Sequence, residues 1–131
     1  MRNYIPRELI GDIASKINLV VDKLDSRITV FNFHDVGDKS SEFAFDNNIN
    51  ISKSLFKTQV EFISSNFNVI SMWKFLHGSI PTRPALITFD DGYEGAFDNG
   101  ISLLSALSLP CTVFLNMGPI HQENYWSEKV S

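Results

Sequence analysis

The chain has 131 residues, 44% hydrophobic and 20% charged, a balance that suits one modest globular domain and not a disordered tail. Its 15 acidic residues outweigh 11 basic ones for a formal charge of -4, and Lys and Arg form no cluster, which argues against a nucleic-acid surface. A single cysteine, Cys111, leaves no intramolecular disulfide framework and no cysteine pair to start a structural zinc site.

Residues 6–24 set Leu9, Ile10, Ile13, Ile17, Val20, Val21 and Leu24 at helical spacing behind Pro6, predicting an amphipathic helix as an extension spanning 1–27. This N-terminus lacks the uninterrupted apolar core of a secretory signal. No run approaches the roughly 18 apolar residues of a membrane span, so the chain reads as soluble and, by default, cytoplasmic. "ITVFNFHDVG", 28–37, is rich in β-branched and aromatic residues and closes on glycine, predicting a strand and then a loop through residue 50. Ser52 is placed to cap a helix over 51–67, with Leu55, Gln59, Phe62, Ile63 and Phe67 on its inner register. "NVIS" predicts a short strand, and Ser71 the cap of a brief helix, "MWKFLHG", whose Trp73 and Phe75 read as core. "PALITFDDG" is a mostly apolar strand, "NGISLLSALSLP" a helix up to Pro110, and "CTVFLN" another strand. Strands alternating with helices predict an α/β fold with a parallel sheet or barrel.

The strand at 84–91 ends on two carboxylates, Asp90 and Asp91, followed by Gly92. Neighbouring strand residues point to opposite faces, so the two acids converge only if the strand ends there, and Gly92 supplies the turn. Ligand sites of parallel α/β folds lie beyond the carboxyl ends of the strands, and buried charge calls for a compensating partner such as a divalent metal. An acid capping the next helix is the plainer alternative for "DDG" alone.

"ALITFDDGYEGAFDNGISLLSALSLPCTVFLN" resembles the first signature of the NodB-homology polysaccharide deacetylases, a TFDDG strand end, a helix and a "TVFL" strand. "ITVFNFHDVG", with Phe33, His34, Asp35 and Val36, is similar to the family's first barrel strand, so the likeness covers about residues 28–120. The resemblance implies an incomplete (β/α) barrel of the NodB-homology type, with 28–131 as the N-terminal part of the deacetylase domain. It implies an enzyme that removes N-acetyl groups from an amino-sugar polymer, with Asp90 as catalytic base and Asp91 as ligand of a divalent metal, zinc by expectation. His34 and Tyr93 are candidate site-lining residues: His34 either faces the metal or bonds a loop carbonyl, and Tyr93 either stacks on a sugar or is an ordinary helix-start aromatic.

The sequence departs from the family downstream of the "TVFL" strand, where neither the HxxxH pair nor the family's further catalytic motifs are present. The HxxxH pair that completes the family's metal site is absent, since the histidines are His34, His77 and His121. The expectation is therefore a fragment, inactive alone, too short for the roughly 200 residues a closed barrel needs, and prone to self-association through unpaired sheet edges. A non-catalytic carbohydrate-binding or interaction remnant is the competing reading. His77 reads as a helix C-terminal residue and Cys111 as a packed thiol. A haloacid-dehalogenase-type phosphotransferase is disfavoured because its two aspartates are separated by one residue, whereas Asp90 and Asp91 are adjacent.

Overall fold

A computed structural model describes residues 27–39, 44 and 49–117. The elements are β1 (Thr29–Phe33), β2 (Asp35–Val36), β3 (Asn50–Ile51), α1 (Lys53–Asn66), β4 (Asn68–Val69), α2 (Met72–His77), β5 (Pro84–Asp91), a π-helical segment (Ala96–Ile101), α3 (Ser102–Ala106) and β6 (Thr112–Leu115). The helical extension expected at the N-terminus and His121 lie outside the described residues, apart from Arg27.

All ladders among the described residues are parallel, in line with the α/β expectation. β5 is the central strand. Ala85 pairs with Thr29 of β1 on one side and Val69 of β4 on the other; further along, Thr88 pairs with Asn32 of β1 and with Thr112 of β6. One edge of β5 is thus covered by β1, and the other is shared by β4 at its start and β6 at its end. Residues Pro84 to Phe89 are all buried, which explains the near-continuous apolar run: a strand flanked on both edges and covered on a face has few positions for polar groups. Pro84 sits at the first strand position, where its missing N–H is tolerated.

The sheet has two unlike faces. Phe31, Phe33, Ile87, Phe89 and Val113 turn toward α1 and α3, where Phe56, Val60, Ile63 and Leu104 complete a core. Phe33 meets Phe56 edge-on at 4.9 Å and Phe31 meets Phe67 at 5.1 Å, geometries worth about 0.5–1.5 kcal/mol each beyond their burial. The opposite face, carrying Val30, Asn32, Leu86, Thr88, Asp90 and Phe114, borders an open groove of about 460 Å³ with Met72 and Phe75 of α2 on its rim. The described strands do not by themselves trace a closed barrel.

Several local expectations are corrected. The strand predicted over 28–37 breaks at His34, and its continuation, β2, leaves the main sheet to pair with β3, which spans the junction of the expected loop and helix. Ser52 caps α1 by accepting from Leu55 N at 3.3 Å and Ile63 and Phe67 are buried, as read, but Phe56 and Val60 rather than Leu55 and Gln59 complete the buried stripe. Leu55 and Gln59 face outward, and the Phe56 ring packs against Phe33 and Phe89 in the core. Ser71 does cap α2, accepting from Lys74 N at 3.2 Å. Trp73 and Phe75 are not core: they are 72% and 38% exposed, since no residue of this six-residue helix is buried. The helix before Pro110 ends at Ala106, and Ser108 adopts a left-handed turn (φ 55°).

Candidate active site

β5 carries both acids to the carboxyl end of the sheet, and the backbone there does what adjacent carboxylates require. Asp91 stands at φ 67° and Gly92 at φ 78°, so the extended chain stops at Asp91 and turns through two left-handed residues. Gly92 N closes the turn on Asp90 O at 2.9 Å. Asp90 keeps its strand orientation and borders the groove. The left-handed turn at Asp91 frees the second carboxylate from the strict alternation that would send it to the opposite face.

Asp90 is gripped from β1. Asn32 Nδ2 donates to Asp90 Oδ2 at 2.8 Å, and Thr88 Oγ1 donates to Asn32 Oδ1 at 2.8 Å. His34, one residue past the end of β1, brings Nε2 to 4.0 Å from the same Asp90 oxygen, with both side chains about one-third exposed. The structure therefore brings His34 and Asp90 together at the ends of two paired strands. Tyr93 lies just beyond, with 9% of its surface exposed, and Tyr93 O accepts from Ala96 N at 3.1 Å as the chain enters the π-helical segment.

Sequence reasoning passed over three polar residues. Asn32 and Thr88 have a legible signal in hindsight: Asn32 pairs with Thr88, and Thr88 lies two positions before Asp90, so all three share one face. Asp35 is 6% exposed; its Oδ1 accepts from Val36 N and its Oδ2 from Asn50 Nδ2, both at 3.0 Å, tying β2 to β3. Gly95 packs against it so closely that a Cβ there would overlap Asp35 Oδ1 and lie 2.6 Å from Val36 O. Asn99 Nδ2 donates to Val36 O at 2.7 Å, so the segment after the paired acids is bolted to the loop that carries His34.

The other reactive groups stand apart from this arrangement. His77 Nδ1 contacts Trp73 O at 3.2 Å and its ring stacks on Trp73 at 4.0 Å, within its own helix. Cys111 is half-buried, and burial pushes its thiol up from the ordinary value. Among the described residues no three His, Cys, Asp or Glu side chains cluster to hold a metal ion. A catalytic zinc takes three protein ligands and a water, so these residues do not amount to a metal centre.

No protein-family model matches the chain. Over 83 residues, 60% of its length, it is 29% identical to a poly-beta-1,6-N-acetyl-D-glucosamine N-deacetylase of Staphylococcus aureus, found with the same identity in several strains. Its fold superposes on a de-N-acetylase from Aggregatibacter actinomycetemcomitans with a TM-score of 0.56 and 20% identity, covering 66% of this chain and 36% of that one. The chain resembles the polysaccharide deacetylases in sequence and in fold. A polysaccharide deacetylase from Bacillus cereus aligns with a TM-score of 0.53 and 19% identity, over 63% of this chain and 26% of that one. The match to the deacetylases is partial in a second sense, because the chain spans 29% of the length of the curated relative. No helix among the described residues is long and apolar enough to cross a membrane.

Proposed function

We propose that residues 28–131 form the N-terminal part of a metal-dependent polysaccharide deacetylase domain that removes N-acetyl groups from an amino-sugar polymer, with 1–27 as an extension. The observation that carries this reading is the placement of Asp90: it is the penultimate residue of the central strand, borders the groove, is hydrogen-bonded by Asn32 at 2.8 Å and lies 4.0 Å from His34. Hydrolysis of the amide requires a water to lose a proton as its oxygen attacks the acetyl carbon, after which the carbon–nitrogen bond breaks and the nitrogen is protonated. Asp90 takes the water proton in this scheme, a contribution typically worth about 10²–10⁴ in rate. His34 lies at the same end of the sheet, and Tyr93, 9% exposed, follows behind the turn.

A divalent metal, zinc on this reading, would polarise the amide carbonyl and acidify the water. The chain offers Asp91 as one donor, and the others come from outside the described residues, so no step through the metal follows from this geometry. Activity on this reading belongs to the assembled domain. The chain by itself is expected to be silent and to associate with copies of itself, because Val30, Phe114 and Leu115 lie on its strands at 53%, 52% and 51% exposure.

The test is acetate release from N-acetylglucosamine oligomers, with zinc, by the chain supplemented with the remainder of a deacetylase fold, alongside zinc titration. Asp90→Asn should retain zinc and lose about 10²-fold or more in turnover, whereas Asp91→Asn should lose tight zinc binding. The opposite pattern reverses the two roles. Oligomer binding that persists with no hydrolysis in any assembly establishes the non-catalytic binding module instead.

A further inference from the structure

The hydrogen-bond chain on the groove face has a direction that chemistry fixes at each link. A carboxylate has no proton to give, so Asn32 must present its NH2 to Asp90 Oδ2. The Thr88 hydroxyl can give or accept, and with the amide nitrogen committed to Asp90 its proton goes to Asn32 Oδ1. Thr88 is buried, at 4% exposure, so its hydroxyl is held where the amide needs it.

We infer that Asn32 is a positioning residue for Asp90, and that Thr88 locks the Asn32 amide in the orientation this requires. The inference rests on the reading of Asp90 as the base. The sheet register makes the arrangement rigid: Asn32 and Thr88 are paired residues of β1 and β5, and Asp90 follows two positions on, on the same face. The chain divides the two carboxylate oxygens. Oδ2 is held by Asn32 and lies 4.0 Å from His34 Nε2, whereas Oδ1 receives no hydrogen bond among the described residues, which on the base reading leaves it for the water. Without the Thr88 proton the amide still turns its NH2 to the carboxylate, but its oxygen is no longer anchored to β5, so the side chain is free to sway and the grip on Asp90 loosens.

The alternative is that these bonds only brace the sheet. The bond from Asn32 to Asp90 is exposed to solvent, and such a bond adds little to stability, whereas a displacement of about 1 Å at a reacting group costs on the order of 100-fold in rate. A bracing role and a positioning role therefore diverge in their readouts.

Two measurements decide between them. In the ¹⁵N-labelled full chain, the two Asn32 side-chain amide protons should be well separated in chemical shift. Thr88→Val, which keeps the shape and removes the donor, and Asp90→Ala should each collapse that separation, and Thr88→Ser should preserve it. In the zinc-supplemented hydrolysis assay of the assembled domain, Asn32→Ala and Thr88→Val should lower kcat about 10–100-fold with KM within about twofold, and Thr88→Ser should restore most of the rate. Asp90→Asn serves as the reference. If Asp90→Asn is inactive while Asn32→Ala keeps its kcat, positioning is wrong and the base reading stands. If Asp90→Asn turns over at the parental rate, the base reading itself fails. An Asn32 amide signal indifferent to Thr88→Val overturns the inference whatever the kinetics.

Discussion

Gly95→Ala is the substitution whose cost can be worked most directly from the structure. An added methyl would overlap Asp35 Oδ1 and stand 2.6 Å from Val36 O. The carbonyl belongs to the backbone and is itself held by Asn99 Nδ2 at 2.7 Å, so it cannot swing aside as a flexible side chain does. The π-helical segment must then move off β2 by several tenths of an ångström, a forced overpacking that costs about 1–3 kcal/mol. Asp35 must also shift, weakening its bonds from Val36 N and Asn50 Nδ2, and a buried carboxylate that loses a donor adds about 1–3 kcal/mol. We expect a total near 3 kcal/mol, a large share of the roughly 5–15 kcal/mol that small domains possess. Urea unfolding followed by tryptophan fluorescence and by circular dichroism measures it, with Ser105→Ala on the exposed side of α3 as a control that should change stability by less than about 0.5 kcal/mol. A Gly95→Ala protein within about 0.5 kcal/mol of the parent would refute the argument that this contact locks the loop after β1 to the helix after the paired acids.

His34→Gln should lower turnover of the assembled domain about tenfold or more while moving the thermal midpoint by only a few degrees, because a pair one-third exposed and 4.0 Å apart contributes about 0–1 kcal/mol; matched losses of stability and rate would make the histidine structural. Cys111 should react with iodoacetamide more slowly in the folded chain than in urea at pH 9, since burial holds its thiol above the ordinary value of 9.0. The sign follows: the folded chain keeps that proton longer than the unfolded one, so this group's contribution to stability declines as pH rises past 9.0, and equal alkylation rates would contradict it. Phe114→Ser should shift the chain toward monomer in sedimentation velocity, and a parent chain already monodisperse and monomeric would remove the self-association reading.

The β5 strand and the paired acids were legible because their signals are local: an unbroken apolar run, two carboxylates and a glycine stand side by side in the sequence. The caps at Ser52 and Ser71 were legible for the same reason, since each hydrogen bond spans three residues. What the sequence concealed was decided between distant segments. Phe56 rather than Leu55 faces inward because the Phe33 and Phe89 rings, 23 and 33 positions away in the numbering of the chain, leave a slot for an aromatic. Trp73 and Phe75 looked like core from their apolar character alone, yet the short α2 has nothing over its outer side among the described residues. Asn32 escaped notice because a single amide in a strand carries no chemical signature until the register sets it opposite Thr88. Asp35 escaped because its partners, Asn50 and Gly95, are 15 and 60 residues further along.

The left-handed turn at the end of β5 has a bearing on how this position can drift. Asp91 holds φ 67° without being a glycine, a conformation that Asn and Asp adopt far more readily than most residues and that costs others about 1–2 kcal/mol. The backbone alone thus favours asparagine and glycine among the substitutions open to position 91, although Arg83 and Ser108 also hold positive φ in this chain. A chain that lost its need for the carboxylate would still be steered toward Asn or Gly there, through a single nucleotide change in either case. A relative with Asn at this place would keep the architecture of the turn while having abandoned the charge, so aspartate in a set of diverging sequences reports pressure on the chemistry and asparagine reports pressure on the shape alone.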